Sequence, residues 1–151
     1  MLTITMEDLY PGPNWLFVFG WANYRQRTGV FSFVRYTAEV LHEDIPDPAQ
    51  ELLFNACHVM VHEAGHMFGM THCTYYECTM NGFNSREEQM VMNRCKCAFT
   101  NLHSVLCPVC LRKLQSVIGF NVKGRFQALL AVCNELGFAD SAAYYEKMLK
   151  L

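Results

Sequence analysis

The eleven residues HEAGHMFGMTH, from His62 to His72, constrain this chain more than any other stretch. His62 and His66 are four apart, so on a helix their side chains leave one face and can reach one metal ion. Glu63 stands beside the first of them, where a carboxylate can take a proton from a metal-activated water. Gly69 lets the chain leave the helix sharply, at a positive φ, and bring His72 back to the same ion. From average residue usage, HExxH alone arises by chance in roughly one chain in two hundred of this size. The added Gly69 and His72 make coincidence several hundredfold rarer on the same basis. The pattern therefore requires a helix ending at a glycine turn, with His62, His66 and His72 as ligands of a catalytic zinc and Glu63 as general base.

The flanking residues set the limits of that helix. Asp47 is a plausible N-cap, Pro48 suits the first helical position, and Gln50 completes a capping-box pattern. Helical character then runs to Phe68. Asn55, His58, His62 and His66 fall on one narrow stripe at 100° per residue. Leu53, Phe54, Ala56, Cys57, Met60, Val61, Ala64 and Phe68 cover the opposite arc. A helix apolar on most sides is expected to be buried, with its polar stripe facing a cleft. Three ligands complete a catalytic zinc site, so His58 is expected to line the cleft or support a ligand.

Three β-prone runs precede the helix: 2–10, 15–24 and 30–40, joined by turns at PGPN (11–14) and around Gly29. Their Phe, Val and Trp content suggests partly buried strands. Helices are expected over 107–118, 122–136 and 139–150. Phe126, Leu129, Leu130, Cys133 and Leu136 mark the inner face of the second; Tyr144, Tyr145, Met148 and Leu149 mark that of the third. The chain of 151 residues, 52% hydrophobic, reads as one α+β domain. Its sheet and active helix occupy 1–72, and 73–151 carry the remainder.

Net charge is −2 and the basic residues are scattered, which argues against nucleic acid and against an anionic membrane as partners. No apolar run approaches the length of a membrane span. The N-terminal segment has no basic region and meets Glu7–Asp8, unlike a secretory signal. With eight cysteines and nine methionines, this suggests a reduced, intracellular setting, cytoplasmic or nuclear, and thiols used as metal ligands.

Cys73 and Cys78 are separated by four residues, and Cys107 and Cys110 by two. Two such pairs can close a tetrahedral four-thiolate zinc site with no position left for substrate. Cys95 and Cys97 allow a competing set with Cys107 and Cys110, although C-x-C is the poorer half-site. Cys57 and Cys133 lie on apolar helix faces and read as buried core thiols. Tyr75 and Tyr76 are candidates to assist an oxyanion.

The run HEAGHMFGMTHC, followed by a second Cys, by CTMN and by CPVC, resembles the archaemetzincins, a branch of the metzincin zinc peptidases. ITMEDLYPGPNW, FVFG, FSFVRY and LRKLQ are also similar to segments of that family. The resemblance implies a metzincin-like zincin fold: a mixed, twisted sheet packed on the active-site helix, with a helical, zinc-stapled C-terminal part. It selects Cys73, Cys78, Cys107 and Cys110 as the second, structural zinc site, giving two zinc ions per chain. It makes Met80 the Met-turn residue beneath the catalytic zinc. A monomer with aminopeptidase-like action on short peptides, bound along an edge strand within 15–40, is the implied activity. The family pattern also has a strand and a helix before ITMEDLYPGP, so a truncated form is expected. Its spacing from Met80 to CPVC is shorter than here. A catalytically weak zinc-binding module is the alternative, against which the presence of Glu63 stands.

Overall fold

A computed structural model describes residues 1–37, 46–82 and 105–151. The chain divides into two compact units, Met1–Thr71 and His72–Leu151.

In the first unit, strands β1 (Leu2–Thr5), β2 (Gly20–Asn23) and β3 (Thr28–Ser32) form a mixed sheet in the order β1-β3-β2. β1 runs parallel to β3 with Leu2 opposite Gly29; β2 runs antiparallel to it with Gly20 opposite Phe31. Among the described residues, β2 is therefore an edge strand. A single 3₁₀ turn, Val34–Tyr36, follows β3.

The strands are shorter than the β-prone runs. Thr5 closes β1, and the stretch to Val18 contributes only an isolated bridge, Leu9 to Val18. Trp15, Leu16 and Trp21 are exposed rather than partly buried. The proline-containing turn at 11–14 interrupts pairing on both sides, since proline offers no N–H to a ladder. Residues 38–40 of the third run lie outside the described residues.

Helix α1 spans Pro48–Met67, with Asp47 as N-cap accepting from the Gln50 N–H at 3.0 Å and proline at the start. These are the limits that the capping residues dictate. The helix packs on β2, β3 and the 3₁₀ turn. Phe31, Phe33, Tyr36, Ala56 and Val59 form the core, with Phe19, Leu52 and Met60 against it. The buried helical face is not the purely apolar arc. Asn55, His58 and Glu63 are buried, whereas Leu53 is 39% and Val61 42% exposed. The sheet covers one face of the helix within this unit, and the polar stripe borders that face. Asn55 satisfies its amide locally, donating to the Glu51 carbonyl at 2.9 Å and to its Oε1 at 2.8 Å. Cys57 is only half-buried, contrary to its reading as a core thiol.

The second unit contains α2 (Pro108–Ile118), α3 (Val122–Glu135) and α4 (Ala139–Leu149). Gly119, at φ 78°, ends α2 in the left-handed region that glycine adopts without strain. Asn121 caps α3 by accepting from the Gly124 N–H at 2.8 Å. Helices α3 and α4 pair around Val105, Phe126, Cys133, Ala142 and Tyr145. The Phe126 and Tyr145 rings lie 5.7 Å apart. Leu129, Leu130, Tyr144, Met148 and Leu149 pack against this cluster, as the helical periodicity indicates.

Candidate metal centres

The end of α1 is a Schellman turn built on Gly69. The Met70 N–H reaches the Gly65 carbonyl at 3.1 Å, the Gly69 N–H reaches the His66 carbonyl at 2.9 Å, and Gly69 has φ 82°. The turn has a direct chemical result. It lays the Met70 carbonyl 2.7 Å from His66 Nδ1, so that nitrogen carries the proton and Nε2 presents its lone pair. The His66 and His62 Nε2 atoms are 3.0 Å apart. Two nitrogens 2.0–2.1 Å from one tetrahedral ion would be separated by about 3.3 Å, so the pair fits with a small adjustment. His72, just past the turn, completes the group: one ring nitrogen from each of the three histidines lies within 4.8 Å of the others. Three neutral nitrogen donors are the set that an open zinc site uses. His58 is buried and not part of this group.

Glu63 is buried, and burial pushes its carboxyl up to about 7. A cation nearby opposes that shift by favouring the carboxylate. What fixes the side chain is Gly20, at the start of β2. A Cβ on Gly20 would meet Glu63 Cγ at 2.7 Å and Cδ at 3.0 Å. The glycine is thus the space in which the Glu63 stem lies. The histidine motif does not reveal Gly20, but a glycine inside FVFGWANY is a usable signal, since strand glycines mark close approach.

The second group gathers Cys73, Cys78, Cys107 and Cys110, all buried, with sulfurs within 4.8 Å of one another. Cys73 and Cys107 Sγ are 3.9 Å apart, near the roughly 3.8 Å expected for two sulfurs 2.3 Å from a tetrahedral zinc ion. None of the described cysteines is paired in a disulfide. Backbone N–H groups of Met80 and Cys107 point at Cys78 Sγ from 3.4 and 3.3 Å. The Cys110 N–H donates to Cys107 Sγ at 3.4 Å, making that sulfur the N-cap of α2. Burial pushes the Cys78 thiol up to about 11, and burial together with the neighbouring sulfurs pushes Cys110 in the same direction. Four thiolates gathered this closely would repel one another, and a cation among them would compensate that charge. The donor set therefore suits a closed zinc site. Cys95 and Cys97, the competing pair, lie outside the described residues.

The loop between Cys73 and Met80 is held by one side chain that the motifs do not single out. Asn81 is 6% exposed; its Nδ2 donates to the carbonyls of Cys73 and Tyr76 at 2.7 and 2.9 Å. Its Oδ1 accepts from the Cys78 N–H at 2.8 Å. Met80 is fully buried, and its carbonyl accepts from the Cys73 N–H at 2.7 Å. Tyr75 and Tyr76 are exposed and line an open cleft of about 460 Å³ with His72, Glu77 and Gly82.

No family model matches the chain. Among curated proteins, it is 35% identical to archaemetzincin-2 of Mus musculus over 89% of its own length. It is 32% identical to archaemetzincin-1 of Homo sapiens over 85%. It spans 42% of the mouse protein and 29% of the human one. Two crystal structures share the architecture. A zinc-dependent peptidase from Methanocorpusculum labreanum matches at TM-score 0.60 and 26% identity, over 75% of this chain and 52% of that one. Archaemetzincin from Methanopyrus kandleri matches at TM-score 0.55 and 31% identity, over 79% and 56%. The mixed sheet, the helix laid on it and the sequence likeness agree: over most of its length the chain is a homologue of the archaemetzincins and shares their fold.

Proposed function

We infer that this chain is a zinc-dependent peptidase with one catalytic and one structural zinc ion. His62, His66 and His72 hold the first ion; Cys73, Cys78, Cys107 and Cys110 hold the second. The observation that carries the reading is the convergence of the three histidine nitrogens, with a buried Glu63 next in sequence to the first of them. The relative from Methanocorpusculum labreanum, a zinc-dependent peptidase, supports it.

A zinc ion at the histidines supplies a Lewis acid that polarises the scissile carbonyl and lowers the pKa of water. Glu63 takes the proton from the attacking water and returns it to the leaving amine. His66 keeps its ring orientation through the Nδ1 hydrogen bond to Met70, which leaves Nε2 for the ion. The peptide adds to the outer edge of β2 by backbone hydrogen bonds, alongside Gly20, whose missing side chain leaves Glu63 close beneath the strand. Met80 serves as the apolar base of the catalytic site. Aminopeptidase-like action on short peptides follows from the family resemblance, and the chain is taken to act as a monomer.

The test is metal content and cleavage of short peptides, with free and acetylated N-termini, by the unaltered chain and by Glu63→Gln. Two zinc ions in both proteins, with cleavage reduced by roughly 10²–10⁴-fold in the variant, is the expected result. Cleavage of only the free N-termini supports an aminopeptidase. Two ions and no cleavage by the unaltered chain would instead make it a zinc-binding module.

A further inference from the structure

The four-thiol group and the third histidine share a backbone. His72 precedes Cys73 directly, and the Cys73 peptide groups are fixed from both sides: the N–H by the Met80 carbonyl at 2.7 Å, the carbonyl by Asn81 Nδ2 at 2.7 Å. Asn81 also accepts from the Cys78 N–H through Oδ1 at 2.8 Å. One buried amide therefore touches the backbone of both cysteines from the 73–78 half of the thiol group. The next residue, Gly82, lies against the His72 imidazole. A Cβ there would stand 2.6 Å from Nδ1, 2.9 Å from Cε1 and 3.0 Å from Cγ. The imidazole would have to swing away to admit it.

From this geometry we propose that Asn81 and Gly82 are positioning residues through which the four-thiol site sets His72, so that the two ions bind in order, thiolate site first. The proposal rests on the reading that both groups hold zinc. An ion on the sulfurs fixes the distance between Cys73 and Cys78. That spacing is the one across which Asn81 can make its bonds to Cys73 and Cys78 together. With Cys73 held, the backbone that precedes it is fixed, and the imidazole of His72 rests on Gly82 in the orientation the other two histidines require. An asparagine suits this role because a buried amide has two donors and one acceptor of fixed geometry, and here it meets two carbonyls and one N–H. A closed thiolate site contributes its binding energy to the fold, so it fills before a site whose third ligand depends on that fold. Linkage requires that the coupling be reciprocal.

The experiment uses the full chain stripped of metal and titrated with Co²⁺, followed by chelator competition with Zn²⁺. Thiolate-to-cobalt charge transfer in the near ultraviolet reports the cysteine site; an all-imidazole site lacks that band. In the unaltered chain the band should saturate within the first equivalent, and the second ion should bind only afterwards. Gly82→Ala, at an exposed position, should leave the band unchanged and weaken the second ion by roughly 10–100-fold, the range for lost supporting contacts to a ligand. Asn81→Ala should weaken the second ion as much and also loosen the first. Cys110→Ser, distant in sequence from His72, should weaken the histidine-bound ion although no histidine has changed. Unaltered affinity for the second ion in these variants would overturn the coupling, as would filling of the histidine site before the thiolate site. Uptake of only the thiolate-bound ion by the unaltered chain would overturn the zinc-peptidase reading, and the coupling with it. Two ions bound independently would overturn the coupling alone.

Discussion

His62 and His66 come from successive turns of one helix and are only half-buried, with His72 exposed just beyond the turn. The four thiols come from two segments, one a loop and the other the first turn of α2, and all are buried. Both groups can surround a tetrahedral cation, yet they solve different problems. The histidine group is assembled by local geometry: the helix period sets two ligands, and a glycine turn brings the third. Three donors leave the fourth position of a tetrahedral ion open. The thiol group needs long-range folding before its sulfurs meet, and once formed it excludes everything but the ion. An open site is thus simple to build and able to react, whereas a closed one contributes its binding energy to the fold.

The strongest way to break this comparison is Cys107→Ser. It removes a thiolate while leaving a hydroxyl that can still cap α2, so the loss it reports is that of the metal ligand. Structural zinc sites contribute on the order of 10 kcal/mol of apparent binding energy. The variant should lose the thiolate-bound ion, and calorimetry should show that His72–Leu151 no longer melts as a cooperative unit. If it melts like the unaltered chain with zinc bound, the cluster is a set of core thiols and not a metal site.

Gly20→Ala is a smaller perturbation of the other site. The added methyl displaces the Glu63 stem without touching a ligand. A displacement near 1 Å can cost about 10²-fold in rate. Peptide cleavage should fall by that order while zinc content stays the same. An unchanged rate would show that β2 does not hold Glu63 in place.

The smallest effect concerns neither centre and calibrates the other two. Arg35 grips Asp8 in a two-pronged pair, Nε to Oδ1 at 2.7 Å and an Nη to Oδ2 at 2.8 Å, with its guanidinium 3.7 Å above the Phe17 ring. The Arg35 hydrogen bond holds the Asp8 carboxyl below its ordinary 3.8. A lowered folded-state value means that the pair stabilises the fold above that pH. The contribution is lost as pH falls through the folded-state value. Arg35→Met should cost at most about 1 kcal/mol at neutral pH, because the pair is partly solvated. The difference from the unaltered chain should shrink as melts are taken to acid below the ordinary 3.8 and on through the lowered folded-state value, where the carboxylate is protonated. A difference that persists in that range would assign the loss to the Phe17 contact instead.

How much of this was legible in the sequence follows the same division. The active helix begins at Asp47–Pro48 and turns at Gly69, where caps and breakers act on their immediate neighbours. The helices after residue 107 agree with their apolar periodicity for the same reason. The strands do not. A run of Phe, Val and Trp carries no information about where its partner strand ends, so β2 is four residues and not ten. Leu53 and Val61 are exposed because a three-stranded sheet covers one helical face, a limit that helix period alone cannot convey. Gly20 and Asn81 lie within FVFG and CTMN, but neither run says what they hold, because each acts on a residue distant in sequence or on backbone atoms. A motif displays ligands and bases, not the groups that hold them still. The buried Asn next to Met80 in CTMN is the nearest signal, since an asparagine in an apolar setting needs several partners.

The sulfur of Cys107 accepts the Cys110 N–H and so plays the part that a serine or aspartate oxygen plays at other helix starts. A thiol is oxidisable, and those oxygens are not. Drawing Cys107 into a disulfide would withdraw one of the four thiolates of the proposed zinc site and disturb the cap of α2 at the same time. Oxidative damage at this position should therefore be visible as lost helicity in far-ultraviolet dichroism, with a reductant and zinc together needed to restore it. One atom thus reports the redox history of the whole C-terminal half.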